Sequence, residues 1–198
     1  MNKYITRFKR SLLFMVLAVS FVLLGACGVS KSEEAMNMYK TADSYTMSMS
    51  INFEKYTLES EYKVDGAKRY FAFDGTEEYE HDDGESSYRY SKNNLSRWER
   101  TKINKEDNAF IPNNSVVLNP EDLEADMFEE SDSTSTLTMK KESYESVFGE
   151  KAPTILSFSL IKHENHLEIN YAFNQNKKTV PVNVTIDSIG TTNVELPI

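Results

Sequence analysis

Three groups of residues carry side chains whose types and spacing suit chemistry. Cys27 is the only cysteine of the chain, so its thiol is available as a nucleophile and has no disulfide partner within the chain. His163-Glu164-Asn165-His166 places two imidazoles three residues apart. A zinc hydrolase needs them at i and i+4 of one helix so that both share a face. Here the segment falls between two alternating stretches and reads as a solvated hairpin turn. His81 stands beside Asp82, Asp83 and Glu85, but the calcium-loop pattern is missing and Asp83-Gly84 has the composition of a turn. No serine sits in a G-x-S-x-G elbow, and the seven glycines form no phosphate-cradling loop. The expectation is that the protein is not an enzyme and has no catalytic residue, metal site or cofactor.

The chemistry expected at Cys27 follows from its position. Lys3, Arg7, Lys9 and Arg10 precede an uncharged, apolar run from Ser11 to Ala26. That run is shorter than the roughly 20 residues a membrane span needs and reads as the core of a signal peptide. It ends in Leu24-Gly25-Ala26-Cys27. These four residues resemble the lipobox of bacterial lipoprotein precursors, with the cysteine as the first mature residue. The resemblance implies that 1–26 is removed, that the Cys27 thiol receives a diacylglyceryl group and that Cys27 becomes the new N-terminus. It implies acyl chains on that residue, palmitate among them, and a lipidated tether over 27–34. Stable anchoring takes more than one chain, at ~0.8 kcal/mol per buried methylene. The expected location is the extracytoplasmic face of the cell membrane, within the cell envelope.

Composition narrows the partners. Without the four basic residues of the first ten, 18 Lys and Arg face 31 Asp and Glu, a formal charge of −13 for the mature chain. Nucleic acid is held through clustered Lys and Arg, which are missing, so no nucleic acid is expected. The same charge leaves membrane contact to the acyl anchor.

The elements that hold the rest in place are mostly strands. Ala35, Met38, Tyr39 and Ala42 predict a short helix over 33–42. Tyr45, Met47, Met49, Ile51 and Phe53 then alternate with polar residues, as do Tyr56, Leu58, Tyr62 and Val64, which predicts two half-buried strands. Asp65-Gly66, Asp74-Gly75 and Asp83-Gly84 recur every nine residues and predict hairpins of an antiparallel meander. A further turn at Asn93-Asn94 leads into the strand that carries Trp98. Asn119-Pro120-Glu121-Asp122 predicts a capped helix running to about Glu130. A short strand at 137–140, a helical turn at 143–148 and strands over 154–162, 166–173 and 179–187 complete the chain. The total is about ten strands with two or three short helices, an α+β, mainly β fold.

This arrangement is similar to the LolA-like lipoprotein carriers, in particular the membrane-anchored LppX and LprG type. The likeness rests on the helix entering a long alternating strand, the run Tyr88, Tyr90, Trp98, and the closing Ile189-Gly190-Thr191-Thr192 with Leu196-Pro197. It implies that 35–198 is a single half-barrel domain. A curved antiparallel sheet would carry short helices over its concave face and an apolar cavity beneath them for acyl chains or lipid. The expected ligand-binding residues are Met47, Met49, Ile51, Phe53, Leu58, Tyr62, Leu167, Ile169 and Tyr171. Flexible methionines suit a surface that adapts to varied chains. The alternative is a surface interaction lipoprotein with a filled core, binding a protein partner through its acidic exterior.

Overall fold

Eleven antiparallel strands form one continuous sheet that does not close on itself. The computed structural model describes residues 29–104, 116–130 and 135–197; Cys27 and the expected signal peptide lie outside them. Residues 31–198 make up one compact unit, distinct from 1–30. Among the described residues no helix is long and apolar enough to cross a membrane.

Helix α1 (Lys31–Lys40) leads into β1 (Ser44–Asn52), followed by β2 (Thr57–Asp65), β3 (Lys68–Phe73), β4 (Thr76–Asp82), β5 (Ser87–Lys92) and β6 (Trp98–Ile103). The second half supplies β7 (Phe128–Glu129), β8 (Thr136–Met139), helix α2 (Tyr144–Phe148), β9 (Ile155–Lys162), β10 (Leu167–Gln175) and β11 (Lys178–Asp187). The spatial order is β6-β5-β4-β3-β2-β1-β11-β10-β9-β8-β7, two meanders joined where β1 pairs with β11. One long-range strand pairing makes the two halves a single sheet, with Met47 opposite Ile186 and Met49 opposite Val184.

The three Asp-Gly pairs make different turns. Asp74 and Gly75 both take positive φ, 47° and 76°, and Phe73 pairs with Thr76, the two-residue loop that matches strand twist. Asp83-Gly84 instead sits in a longer loop, where the Asp83 carboxylate accepts from the Glu85 and Ser86 amides at 3.1 and 2.8 Å. These bonds hold its pKa below the usual carboxylate range. The His163–His166 segment is a hairpin loop between β9 and β10. Its imidazoles stack at 4.3 Å, and His163 Nε2 lies 3.4 Å from Glu168.

The first helix begins at Lys31, two residues earlier than its apolar spacing predicts, because Glu130 receives its N-terminus. The Glu130 carboxylate accepts from the Ser32 amide and hydroxyl at 2.9 and 2.6 Å, so residues 31–34 are helical. The expected helix over 119–130 is replaced by two single 3-10 turns, Pro120–Asp122 and Ala125–Met127, and then β7. Asn119 does cap the first turn, accepting from the Glu121 amide at 3.2 Å. Leu118, Leu123 and Phe128 are the reason for the break: they are 0, 0 and 4% exposed. In an α-helix residues five apart diverge by roughly 140°, so only an interrupted path aims all three inward.

Candidate functional site

The register shows which predicted residues share a face. Tyr62 lies opposite Met47, Met47 opposite Ile186, and Ile186 opposite Leu167. One row along, Met49, Val184 and Ile169 are neighbours, followed by Leu160 and Leu137. Side chains alternate between faces along a strand, so these rows form one apolar surface. Met47, Met49, Ile51, Tyr62, Leu167, Ile169 and Tyr171 come together on it, and each is at most 2% exposed. Phe53 and Leu58 lie at its edge, half-buried. Phe53 stacks on Tyr56 at 4.7 Å and meets Phe173 edge-on at 6.4 Å.

Two short helices and an irregular strap, residues 116–130, cover this surface. Met36 and Tyr39 descend from α1, Leu118 and Leu123 from the strap, and Val147 and Phe148 from α2, all within one buried cluster. Tyr39 meets Tyr45 edge-on at 5.4 Å, and Phe148 lies 5.4 Å from Tyr171. Side chains of the protein itself thus occupy the space above the sheet. Cavities of about 580, 290 and 280 Å³ lie elsewhere, and of the nine predicted residues only Phe53 lines one of them, the smallest. It sits where the β1–β2 and β10–β11 hairpin tips meet.

The strap is fastened mainly by side chains. The Tyr171 hydroxyl donates to the Val116 carbonyl at 2.6 Å and the Tyr39 hydroxyl to the Pro120 carbonyl at 2.7 Å. Arg69 Nε donates to the Tyr62 hydroxyl at 3.1 Å, which donates to Glu121 at 3.0 Å, and Arg69 Nη2 pairs with that carboxylate at 3.1 Å. Lys40 pairs with Glu124 at 2.7 Å, and Lys140 donates to the Asp126 carbonyl at 2.7 Å. Backbone bonds within 118–127 are short-range turns, Asp122 to Asn119, Leu123 to Pro120 and Met127 to Glu124, while Met127 also accepts from the Lys140 amide. Burial pushes the Tyr39, Tyr45, Tyr62 and Tyr171 hydroxyls far above their ordinary pKa. These phenols are neutral donors.

Pattern reading of strands and helices leaves out the strap. Its signal in the sequence is the five-residue spacing of Leu118, Leu123 and Phe128, which fits neither period. The polar fasteners Arg69 and Glu121 are separated by 52 residues and leave no local trace.

The other side of the meander has a different character. Beyond β2 the surface continuous with the core turns acidic, with Glu78, Glu80, Asp82 and Glu99 against Arg69 and Arg89. Arg89 bridges to Glu80 at 2.7 Å. The reverse side of β3–β6 carries Tyr70, Tyr79, Tyr88, Tyr90 and Trp98. Four basic residues accompany them, Lys68, Lys92, Arg100 and Lys102, with Glu77 the single carboxylate.

Among the described residues no group of three His, Cys, Asp or Glu is placed to hold a metal ion. No model of a known protein family matches the chain, and no curated protein matches it.

Proposed function

We propose that the chain is an extracytoplasmic lipoprotein, cut before Cys27 and held to the membrane by acyl chains on that residue. Its folded unit accepts a hydrophobic ligand, an acyl chain or lipid, between the sheet and the strap. In this reading the open sheet curves into a half-barrel, with α1, the strap and α2 over its concave face. The observation that carries it is the fastening of the strap. A broad apolar surface is closed by a segment of 3-10 turns, held through phenols, an Arg–Glu pair and lysines, with a strand ladder only at its β7 end. Such a cover opens at lower cost than a helix or strand. The surface beneath it would then gain ~25 cal/mol for every Å² of ligand removed from water. No polar contact and no catalysis are required.

The burial of seven predicted residues to 2% exposure or less favours a second reading. In it the core is permanently filled and the anchored domain binds a protein partner through its surface. Native mass spectrometry of the full-length protein, together with uptake of a fluorescent fatty acid, separates the two. A carrier retains co-purified lipid, takes up the probe faster when Arg69→Ala loosens the strap, and loses uptake when Met49→Trp fills the interior. Absence of lipid and of probe binding in both wild type and Arg69→Ala would leave the second reading.

A further inference from the structure

The reverse side of β3–β6 carries a feature that neither reading uses. On a chain of formal charge −9, the two faces of this meander are segregated, acidic on one side and basic with aromatic rings on the other. The cations rest on the rings. Arg100 lies 3.6 Å above the Tyr88 ring, Lys92 4.8 Å from that of Trp98, and Lys63 of β2, itself paired with Glu61 at 2.8 Å, 5.2 Å from that of Tyr70. Tyr79 packs edge-on against Trp98 at 5.2 Å and lies 4.9 Å from Tyr70. A cation lying on a ring is held in place and partly stripped of water. Lys92 is paired with Glu77 at 2.7 Å. Arg100 and Lys102 are exposed and, among the described residues, have no carboxylate within ion-pair distance.

Beside these rings the C-terminal segment crosses β2 and β3. Val194 is buried, its amide donating to Asp65 at 3.1 Å and its carbonyl accepting from Lys68 at 3.2 Å. The segment leaves a groove of about 290 Å³ lined by Lys63, Tyr70, Tyr79, Asn193, Val194 and Glu195. Phenol, amide and carboxylate groups in one groove match a ligand rich in hydroxyls, each of which both donates and accepts.

We propose that this face binds an acidic polysaccharide, its sugar hydroxyls in the Tyr70–Tyr79–Glu195 groove and its anionic groups over Lys92, Arg100 and Lys102. An acidic peptide offers few hydroxyls to the phenol, amide and carboxylate groups of the groove. A single-stranded nucleic acid needs free ring faces for its bases, and here cations lie over Tyr70, Tyr88 and Trp98. An anionic bilayer attracts the same cations, but the excess negative charge of the chain as a whole opposes its approach.

The test is calorimetric titration of the full-length protein, in neutral detergent, with polygalacturonate fragments. Neutral dextran, poly-L-glutamate, oligothymidylate and phosphatidylglycerol vesicles serve as competing probes. Polygalacturonate binds wild type, and the exposed pair Arg100→Ala with Lys102→Ala weakens it about tenfold without changing the circular dichroism spectrum. Added salt weakens the wild-type interaction. Glu195→Gln, which removes one negative charge and one carboxylate acceptor for sugar hydroxyls, lowers the ratio of polygalacturonate to poly-L-glutamate affinity. Failure of wild type to bind polygalacturonate, unchanged binding by the double variant, or equal or tighter binding of any competing probe overturns the proposal.

Discussion

The Tyr171 hydroxyl occupies a point where interior and cover meet, 2.6 Å from the Val116 carbonyl and 3.4 Å from the Met49 sulfur. Tyr171→Phe preserves the ring that stacks on Phe158 at 5.5 Å and removes only the donor. A carbonyl then loses its partner at the edge of the core, which costs about 1–2 kcal/mol. Urea denaturation measures this as a lower midpoint at unchanged slope. A loss of more than about 4 kcal/mol would show that the ring, not the hydroxyl, had been disturbed. At Cys27 the reasoning is covalent. A serine cannot form the thioether, so Cys27→Ser yields an unlabelled precursor when cells are fed radioactive fatty acid. Equal label in wild type and variant would rule out the lipid anchor.

At the scale of elements the strap has little backbone support outside β7. Glu121 receives Arg69 through two nitrogens, at 3.1 and 3.2 Å, and the Tyr62 hydroxyl at 3.0 Å. Its side chain is 46% exposed, so the pair contributes only about 1 kcal/mol to overall stability. Its effect is local. Glu121→Gln raises the rate of amide hydrogen exchange in residues 116–130 several-fold while strands β1, β10 and β11 keep their protection. Uniform acceleration across all strands would mean that strap and sheet open as one unit. The meander shows the opposite balance, since β3 to β6 are held by ladder pairing and β3 to β5 have half-buried side chains on both faces, while β6 is largely exposed.

For the molecule as a whole the buried phenols determine behaviour in alkali. The folded-state pKa values of Tyr39, Tyr45, Tyr62 and Tyr171 lie above the ordinary value of 10.0, because burial disfavours the phenolate. Tyr70, less enclosed, is pushed up to about 12 by burial and by Glu77. Above pH 10 the unfolded chain releases these protons and the folded chain retains them. Stability is therefore fully present below the unfolded value and falls as pH rises beyond it. The slope reaches up to ~1.4 kcal/mol per pH unit for each such tyrosine. Urea midpoints drop steeply between about pH 10 and pH 11.5, and phenolate absorbance appears together with unfolding. Smooth ionisation of all eleven tyrosines in a folded protein would contradict the burial.

Local pattern was sufficient for much of the fold. Alternation in Tyr45–Phe53 and in the last strands depends only on the two-residue period of a strand with one dry face. Asp74-Gly75 marks its hairpin because both residues tolerate positive φ. The sharing of one face by Met47, Met49 and Ile51 follows from the same period, as does that of Leu167, Ile169 and Tyr171. Three features were decided by tertiary structure. The adjacency of β1 and β11 depends on closing a loop of more than a hundred residues, which no local spacing encodes. The path of 118–128 went against a good helix start, because burying Leu118, Leu123 and Phe128 together outweighed continued helical hydrogen bonding. The occupancy of the interior was set by Met36, Tyr39 and Phe148 arriving from separate elements. A sequence specifies which side chains are apolar, but whether they enclose space or fill it depends on volumes summed across the whole chain.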